Sequence, residues 1–209
     1  MSDPLPARIE RISWPRFDRL ARRLAQRIIA SGWRPEVIVA IARGGLAPAR
    51  VLADELDLAT VASFRVAHYW QAQKTRAACV VDPLCAEIAG RRVLLVDDVA
   101  DSGETFAAAL DHLAARQPAE IRSTVILYKT VSPYRPDYFA AEVRSWRWIL
   151  FPWAINEDVG GFLKALSPPP RSCDEAAQRL AARGLRLPRR QLAALCRRHL
   201  DAAGCGGSV

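Results

Sequence analysis

The residues that invite chemistry lie in one run, Val93 to Phe106, which reads VLLVDDVADSGETF. An apolar stretch suited to a buried strand leads directly into two adjacent carboxylates, Asp97 and Asp98. A third, Asp101, follows, and Ser102, Gly103, Glu104 and Thr105 then turn into an alanine-rich helix. Packing gives no reason for two acids where a strand leaves the core. Side-by-side carboxylates there suit vicinal hydroxyls or a hydrated Mg2+. Hydroxyls and backbone N–H groups at a helix N-terminus suit an anion. A diol followed by a phosphate describes a ribose 5-phosphate, with Asp101 between the two and within reach of whatever the sugar carries.

The elements around this run must present it at one edge of a sheet. Ser13-Trp14-Pro15 has the composition of a helix start, Ser13 as N-cap and Pro15 in the first turn. Phe17, Leu20, Ala21, Leu24 and Ile28 continue at helical spacing until Gly32. EVIVAIA is a continuous apolar run, as expected of a strand covered on both faces. RGGLAPARVLADEL then turns into a second helix, and TVASFRVAHYW reads as a strand. Residues 71–90 lack periodicity and read as a long loop, with room for a short hairpin. A helix over 105–115 follows the opening strand, IRSTVILYK is the next strand, and PDYFA and WRWILF are shorter ones. Alternating strands and helices give an α/β class with a mostly parallel sheet flanked by helices. The prolines of SPPPRS mark a boundary, which sets residues 1–166 as one domain and 167–209 as a small helical extension, with helices over 173–183 and 188–202.

Bulk composition narrows the classes. The chain has 209 residues, 51% of them hydrophobic and 25% charged, and a net charge of +8. No apolar run approaches the about 20 residues of a membrane span, and the N-terminus has no apolar core of a secretion signal. Five cysteines at scattered positions read as reduced thiols of a cytoplasmic protein. The extension carries eight arginines against three acids. A basic tail of this kind suits a solvated helical face better than a nucleic-acid contact.

Competing motifs fail on their own terms. LLVDD also opens receiver domains, but neither VILYK nor WILF is followed by the later aspartate those need. No GxGxxG or GxxxxGK[ST] occurs, which removes the dinucleotide and P-loop readings.

VLLVDDVADSGET resembles the phosphoribosyl-pyrophosphate (PRPP) signature of type I phosphoribosyltransferases. The resemblance spans roughly residues 10–165 and is similar to the compact microbial hypoxanthine/xanthine/guanine enzymes, through ARGG, HYW, YKT, PDYF and WILFPWA in order. It implies that Asp97 and Asp98 hold the ribose hydroxyls and Mg2+, and that Asp101, Ser102, Gly103, Glu104 and Thr105 form the 5′-phosphate loop. Asp101 would exchange a proton with purine N7. Ser102 keeps the hydroxyl of the usual threonine, whereas Glu104 replaces a glycine or lysine and must point away from the phosphate. Arg43, Gly44 and Gly45 would form the pyrophosphate loop, entered through a strained cis peptide before Arg43. Lys129 would donate to O6 of a 6-oxopurine, Trp148 would stack on the base, and the Ile149 backbone would read its edge. Tyr69 would close over the reaction centre at the start of the long loop, although His68 stands before it where relatives often have serine. Glu157 and Asp158 could assist a second Mg2+.

The implied reaction joins hypoxanthine, guanine or xanthine to PRPP in purine salvage, giving a nucleoside 5′-monophosphate and pyrophosphate. The resemblance further implies a homodimer or higher homo-oligomer and no membrane or nucleic-acid partner. A PRPP-binding regulator without catalysis and a transferase for another nucleobase are the alternatives.

Overall fold

A computed structural model describes residues 5–70 and 76–200, without the side chains of 69, 70, 76 and 77. They form two compact units, one within residues 15–145 and one from 5–14 together with 146–200.

The 15–145 unit is built on a six-stranded sheet of β2 (Val37–Ala42), β3 (Val61–Trp70), β4 (Arg76–Asp82), β5 (Arg92–Ala100), β6 (Glu120–Lys129) and β7 (Tyr138–Val143). Their order across the sheet is β4-β3-β2-β5-β6-β7. All neighbours are parallel except β3 and β4, so the expected class holds. Both faces of the central strands are covered. Val37, Val39, Ile41, Val93 and Leu95 join a core with Phe106, Ala109 and Leu113 of α3 (Glu104–Ala114). The alternating residues Ile38, Ala40, Leu94 and Val96 are equally buried, as their opposite orientation on a pleated strand requires. The apolar residues of α1 (Trp14–Ala30) at helical spacing are buried, and Gly32 at φ +74 ends that segment. α2 (Leu46–Glu55) packs against β2 and β5.

The segment read as a long loop is more ordered than its composition suggests. β3 runs through Tyr69 to Trp70, and β4 returns antiparallel to it with Trp70 opposite Arg76 and Arg65 opposite Asp82. Tyr69 is the penultimate residue of β3; its side chain is outside the described residues. RAACVVD is apolar only over the five mostly small residues AACVV and shows no alternation, and its ladder with β3 supplies the order.

The second unit contains a two-stranded parallel sheet of β1 (Ile9–Arg11) and β8 (Trp148–Leu150), with Ile9 opposite Trp148. α4 (Ile155–Ala165), α5 (Cys173–Ala182) and α6 (Arg189–His199) complete it. Leu5, Ile9, Leu150, Val159, Phe162, Leu163, Leu180 and Leu195 share one core, so α5 and α6 pack in common with α4 and the small sheet. Ser172 caps α5 by accepting from the Glu175 amide at 3.1 Å. No disulfide joins the four described cysteines.

Leu95 is fully buried at the centre of the larger sheet. Leu95→Ala should destabilise the protein by about 2–5 kcal/mol in urea unfolding, with the far-ultraviolet spectrum of the folded state unchanged.

Candidate functional site

The order of the sheet fixes where a ligand can sit. From β2 the chain moves outward to β3 on one side, and from β5 outward to β6 and β7 on the other. The β2–β5 boundary is thus the switch point of the sheet, and the crevice beyond the carboxyl ends of these two strands is its binding position. The loop after β2 carries Arg43, Gly44 and Gly45; the loop after β5 carries Asp101, Ser102 and Gly103 and runs into Glu104 and Thr105 at the start of α3.

The two loops meet because β5 outlasts its ladder with β2. That ladder ends at Ala40 opposite Val96, while the ladder to β6 continues to Ala100 opposite Tyr128. The β2 loop folds back over the bared edge. A Cβ on Gly45 would stand 2.2 Å from the Val96 carbonyl oxygen, and one on Gly44 would stand 2.6 Å from the Asp98 carboxylate. At Gly45 the backbone leaves no room for a side chain; at Gly44 the Asp98 carboxylate would have to move aside. The Ala42–Arg43 peptide that starts this loop is cis, and Arg43 itself is exposed.

Asp97 is buried and Asp98 half-buried. The Asp98 amide donates to Asp97 Oδ1 at 2.9 Å. Burial, and after it repulsion from Asp98, pushes the Asp97 carboxyl well above the usual carboxylate range, opposed in part by that amide. A buried carboxylate beside a second one is a site that a cation or a set of hydroxyl donors relieves. Hard, adjacent oxygens fit Mg2+, which takes one or two protein carboxylates and keeps several waters. Among the described residues no cluster of three or more His, Cys, Asp or Glu side chains could hold a metal.

Beyond them, Gly103 takes φ +80 and serves as the N-cap position of α3, a conformation that glycine adopts at no steric cost. Tyr134 lies against it, and a Cβ on Gly103 would come within 2.9 Å of the Tyr134 Cβ. Tyr134 stacks on Phe106 at 4.6 Å and donates to Ser123 Oγ at 2.7 Å, so the loop rests on a fixed aromatic. The Glu104 amide approaches Ser102 Oγ at 3.4 Å, and the Ala107 amide donates to the Gly103 carbonyl. Thr105 and Phe106 amides, in the first turn, have no acceptor within the helix.

Lys129 ends β6 almost wholly enclosed, its side chain 3% exposed, and its Nζ donates to Asp101 Oδ2 at 2.5 Å. A buried ammonium needs such a partner. The Asp101 side chain is 43% exposed, so the open end of the pair is the carboxylate.

The structure therefore brings Arg43, Gly44, Gly45, Asp97, Asp98, Asp101 to Thr105 and Lys129 to one end of one sheet. Trp148 and Ile149 lie on β8 in the other unit. There the Trp148 indole N–H donates to Asp158 Oδ2 at 2.9 Å, and its ring meets Phe162 edge-on. Burial raises the Asp158 carboxyl, the indole bond lowers it, and Glu157 raises it again. Sequence reading missed this bond, the seat of Tyr134 under Gly103, and two contacts of His68 with α3; all join residues that no local pattern links.

Residues 12–158 match the family model of the phosphoribosyl transferase domain. The chain belongs to that family. The phosphoribosyltransferase is 35% identical over 150 residues to a xanthine-guanine phosphoribosyltransferase of Cereibacter sphaeroides, covering 68% of this chain and 84% of the relative. It is 37% identical over 153 residues to one of Ruegeria, covering 68% and 83%. Among solved structures, a purine phosphoribosyltransferase of Pyrococcus horikoshii aligns with a TM-score of 0.62 at 28% identity, over 69% of this chain and 93% of that one. A Neisseria gonorrhoeae protein solved with bound ppGpp shares the fold over 85% of this chain and 98% of its own, with a TM-score of 0.62 at 23% identity.

The raised Asp97 carboxyl has a sign. The folded state holds a proton that the unfolded chain releases near pH 4, so its contribution is present at low pH and lost as pH rises through the raised value. Asp97→Asn keeps an acceptor for the Asp98 amide and removes the charge. In urea unfolding without added metal it should be more stable than the parent near pH 7.5, and the gain should shrink toward pH 4. A gain independent of pH would count against a buried charge.

Proposed function

We propose that this phosphoribosyltransferase joins a 6-oxopurine to PRPP, releasing pyrophosphate and a nucleoside 5′-monophosphate in the cytoplasm. The observation that carries the choice of base is the Lys129–Asp101 pair at 2.5 Å beside the loop assigned to the sugar phosphate. An ammonium is a donor and no acceptor. It matches the O6 carbonyl of hypoxanthine, guanine or xanthine, and would face the donor amino group of a 6-aminopurine unmatched. The neighbouring carboxylate matches the N7 proton next to that carbonyl. Relatives named xanthine-guanine phosphoribosyltransferase support the same class.

In this reading base N9 attacks C1′ of PRPP, the bond from C1′ to the pyrophosphate oxygen breaks, and the N7 proton passes to Asp101. Asp97 and Asp98 accept from the ribose hydroxyls and hold the ring still, which supplies orientation. Ser102, Thr105 and the first-turn amides of α3 bind the 5′-phosphate, with Gly103 giving the turn and Glu104 contributing its backbone. Arg43 and the Gly44–Gly45 backbone take the pyrophosphate as negative charge gathers on it. Mg2+, when bound through Asp97 and Asp98, offsets the charge of the leaving group. Tyr69 is assigned to excluding water, and Trp148 and Ile149 to the base, by their motifs alone. Residues 1–166 are assigned to the transferase, 167–209 to a basic extension, and the enzyme to a homo-oligomer measurable by light scattering. Among the described residues no helix is long and apolar enough to cross a membrane.

Pyrophosphate release with PRPP, Mg2+ and a panel of bases tests the reading. Hypoxanthine, guanine or xanthine should turn over and adenine should not. Tight PRPP binding without turnover of any purine would mark a regulator instead. Asp101→Asn should lower kcat by about 10²–10⁴-fold, the range of general acid–base catalysis, and change the KM for PRPP far less; equal losses in both would remove Asp101 from proton transfer.

A further inference from the structure

Glu104 is an unfavourable residue for an anion site. It stands in the first turn of α3, whose amides are the donors assigned to a phosphate dianion, and like charges in a partly desolvated crevice repel more than in water. The chain meets this with a residue from another strand. His68, on β3 opposite Ala78, turns its ring toward the start of α3. Its Nε2 stands 3.3 Å from the Thr105 hydroxyl. Its Nδ1 stands 3.4 Å from Glu104 Oε2, an ion-pair distance without hydrogen-bond geometry. The two ring nitrogens thus meet two consecutive residues of the loop, and the imidazole is itself only 26% exposed.

We propose that His68 is a positioning residue of the phosphate loop: it orients the Thr105 hydroxyl and draws the Glu104 carboxylate away from the anion. The inference rests on the assignment of residues 101–105 to the 5′-phosphate. Threonine has few χ1 choices, so a hold on its hydroxyl decides whether that oxygen faces the anion. A carboxylate turned toward an imidazole on β3 is turned away from the amides at the N-terminus of α3. Packing of α3 on β3 and β4 supplies the close approach that makes this possible. His68 touches no reacting atom; it acts through Thr105 and Glu104.

Calorimetric binding of ribose 5-phosphate needs neither a base nor turnover, and separates this inference from the activity. The parent protein should bind it. His68→Ala should weaken that binding, and raise the KM for PRPP, by roughly tenfold, the order of one charged hydrogen-bonding partner, with kcat at saturating PRPP nearly unchanged. Glu104→Gln added to His68→Ala should restore most of the lost affinity. That rescue is what a merely structural histidine would not give. His68→Gln keeps a polar group near Thr105 without a ring facing Glu104; it should show an intermediate loss and serves if the alanine variant does not fold. Parent-like affinity in both His68 variants, or an equal loss with and without Glu104→Gln, would overturn the proposal. Failure of the parent to bind ribose 5-phosphate would remove the phosphate-loop assignment and this inference together.

Discussion

Everything at this site follows from β5 being longer than the ladder that holds it. Up to Val96 the strand has a hydrogen-bonded neighbour on each side; beyond it, the ladder continues only toward β6. A strand edge released at the switch point of a parallel sheet leaves backbone and side chains facing a crevice instead of another strand. Asp97 and Asp98 occupy those positions. The loop after β2 fills the vacated flank, and it can do so because residue 45 has no side chain to collide with the Val96 carbonyl and residue 44 none to displace the Asp98 carboxylate. One difference in ladder length therefore places an acidic corner and a basic, glycine-lined loop against each other.

Charge is the recurring difficulty of such a crevice, and each instance is met by a neighbour from a distant part of the chain. Asp97 is buried next to a like charge, at a cost expressed in its raised carboxyl, which a cation or sugar hydroxyls relieve. Lys129 is buried with a carboxylate 2.5 Å away. Glu104 stands opposite an imidazole. A site that binds a polyanion has to arrange its own acids before the ligand arrives, because reorganising them afterwards would take free energy from binding.

The smaller unit shows the same use of one polar contact to orient an aromatic. Trp148 belongs to a three-residue strand, which by itself does little to fix a large side chain. The bond from its indole to Asp158 and the edge-on contact with Phe162 come from α4, seven or more residues on. α5 and α6 share the core beneath these elements, so the arginine-rich extension has an apolar side with a structural use, whatever its charged side contacts.

Much of this was legible in the sequence because it is local. Continuous apolar runs at 37–42 and 93–96 announce strands covered on both faces, and alternation of such runs with helical spacing announces a parallel sheet. The order DD, then D, then SGET is the sequence signal for the sugar–phosphate grip proposed here, because those groups act through the backbone that carries them. β4 was legible only as room for a short hairpin, because its apolar residues are mostly small and do not alternate, and α4 escaped notice because glycines at 160 and 161 interrupt its helical pattern. The pairs Lys129–Asp101, His68–Thr105 and Trp148–Asp158 belong to tertiary structure alone. Two are separated by 28 and 37 residues, and all three depend on how elements pack, which residue spacing does not encode. Chain order determined which groups are present and the backbone that bears them; packing decided which of them meet.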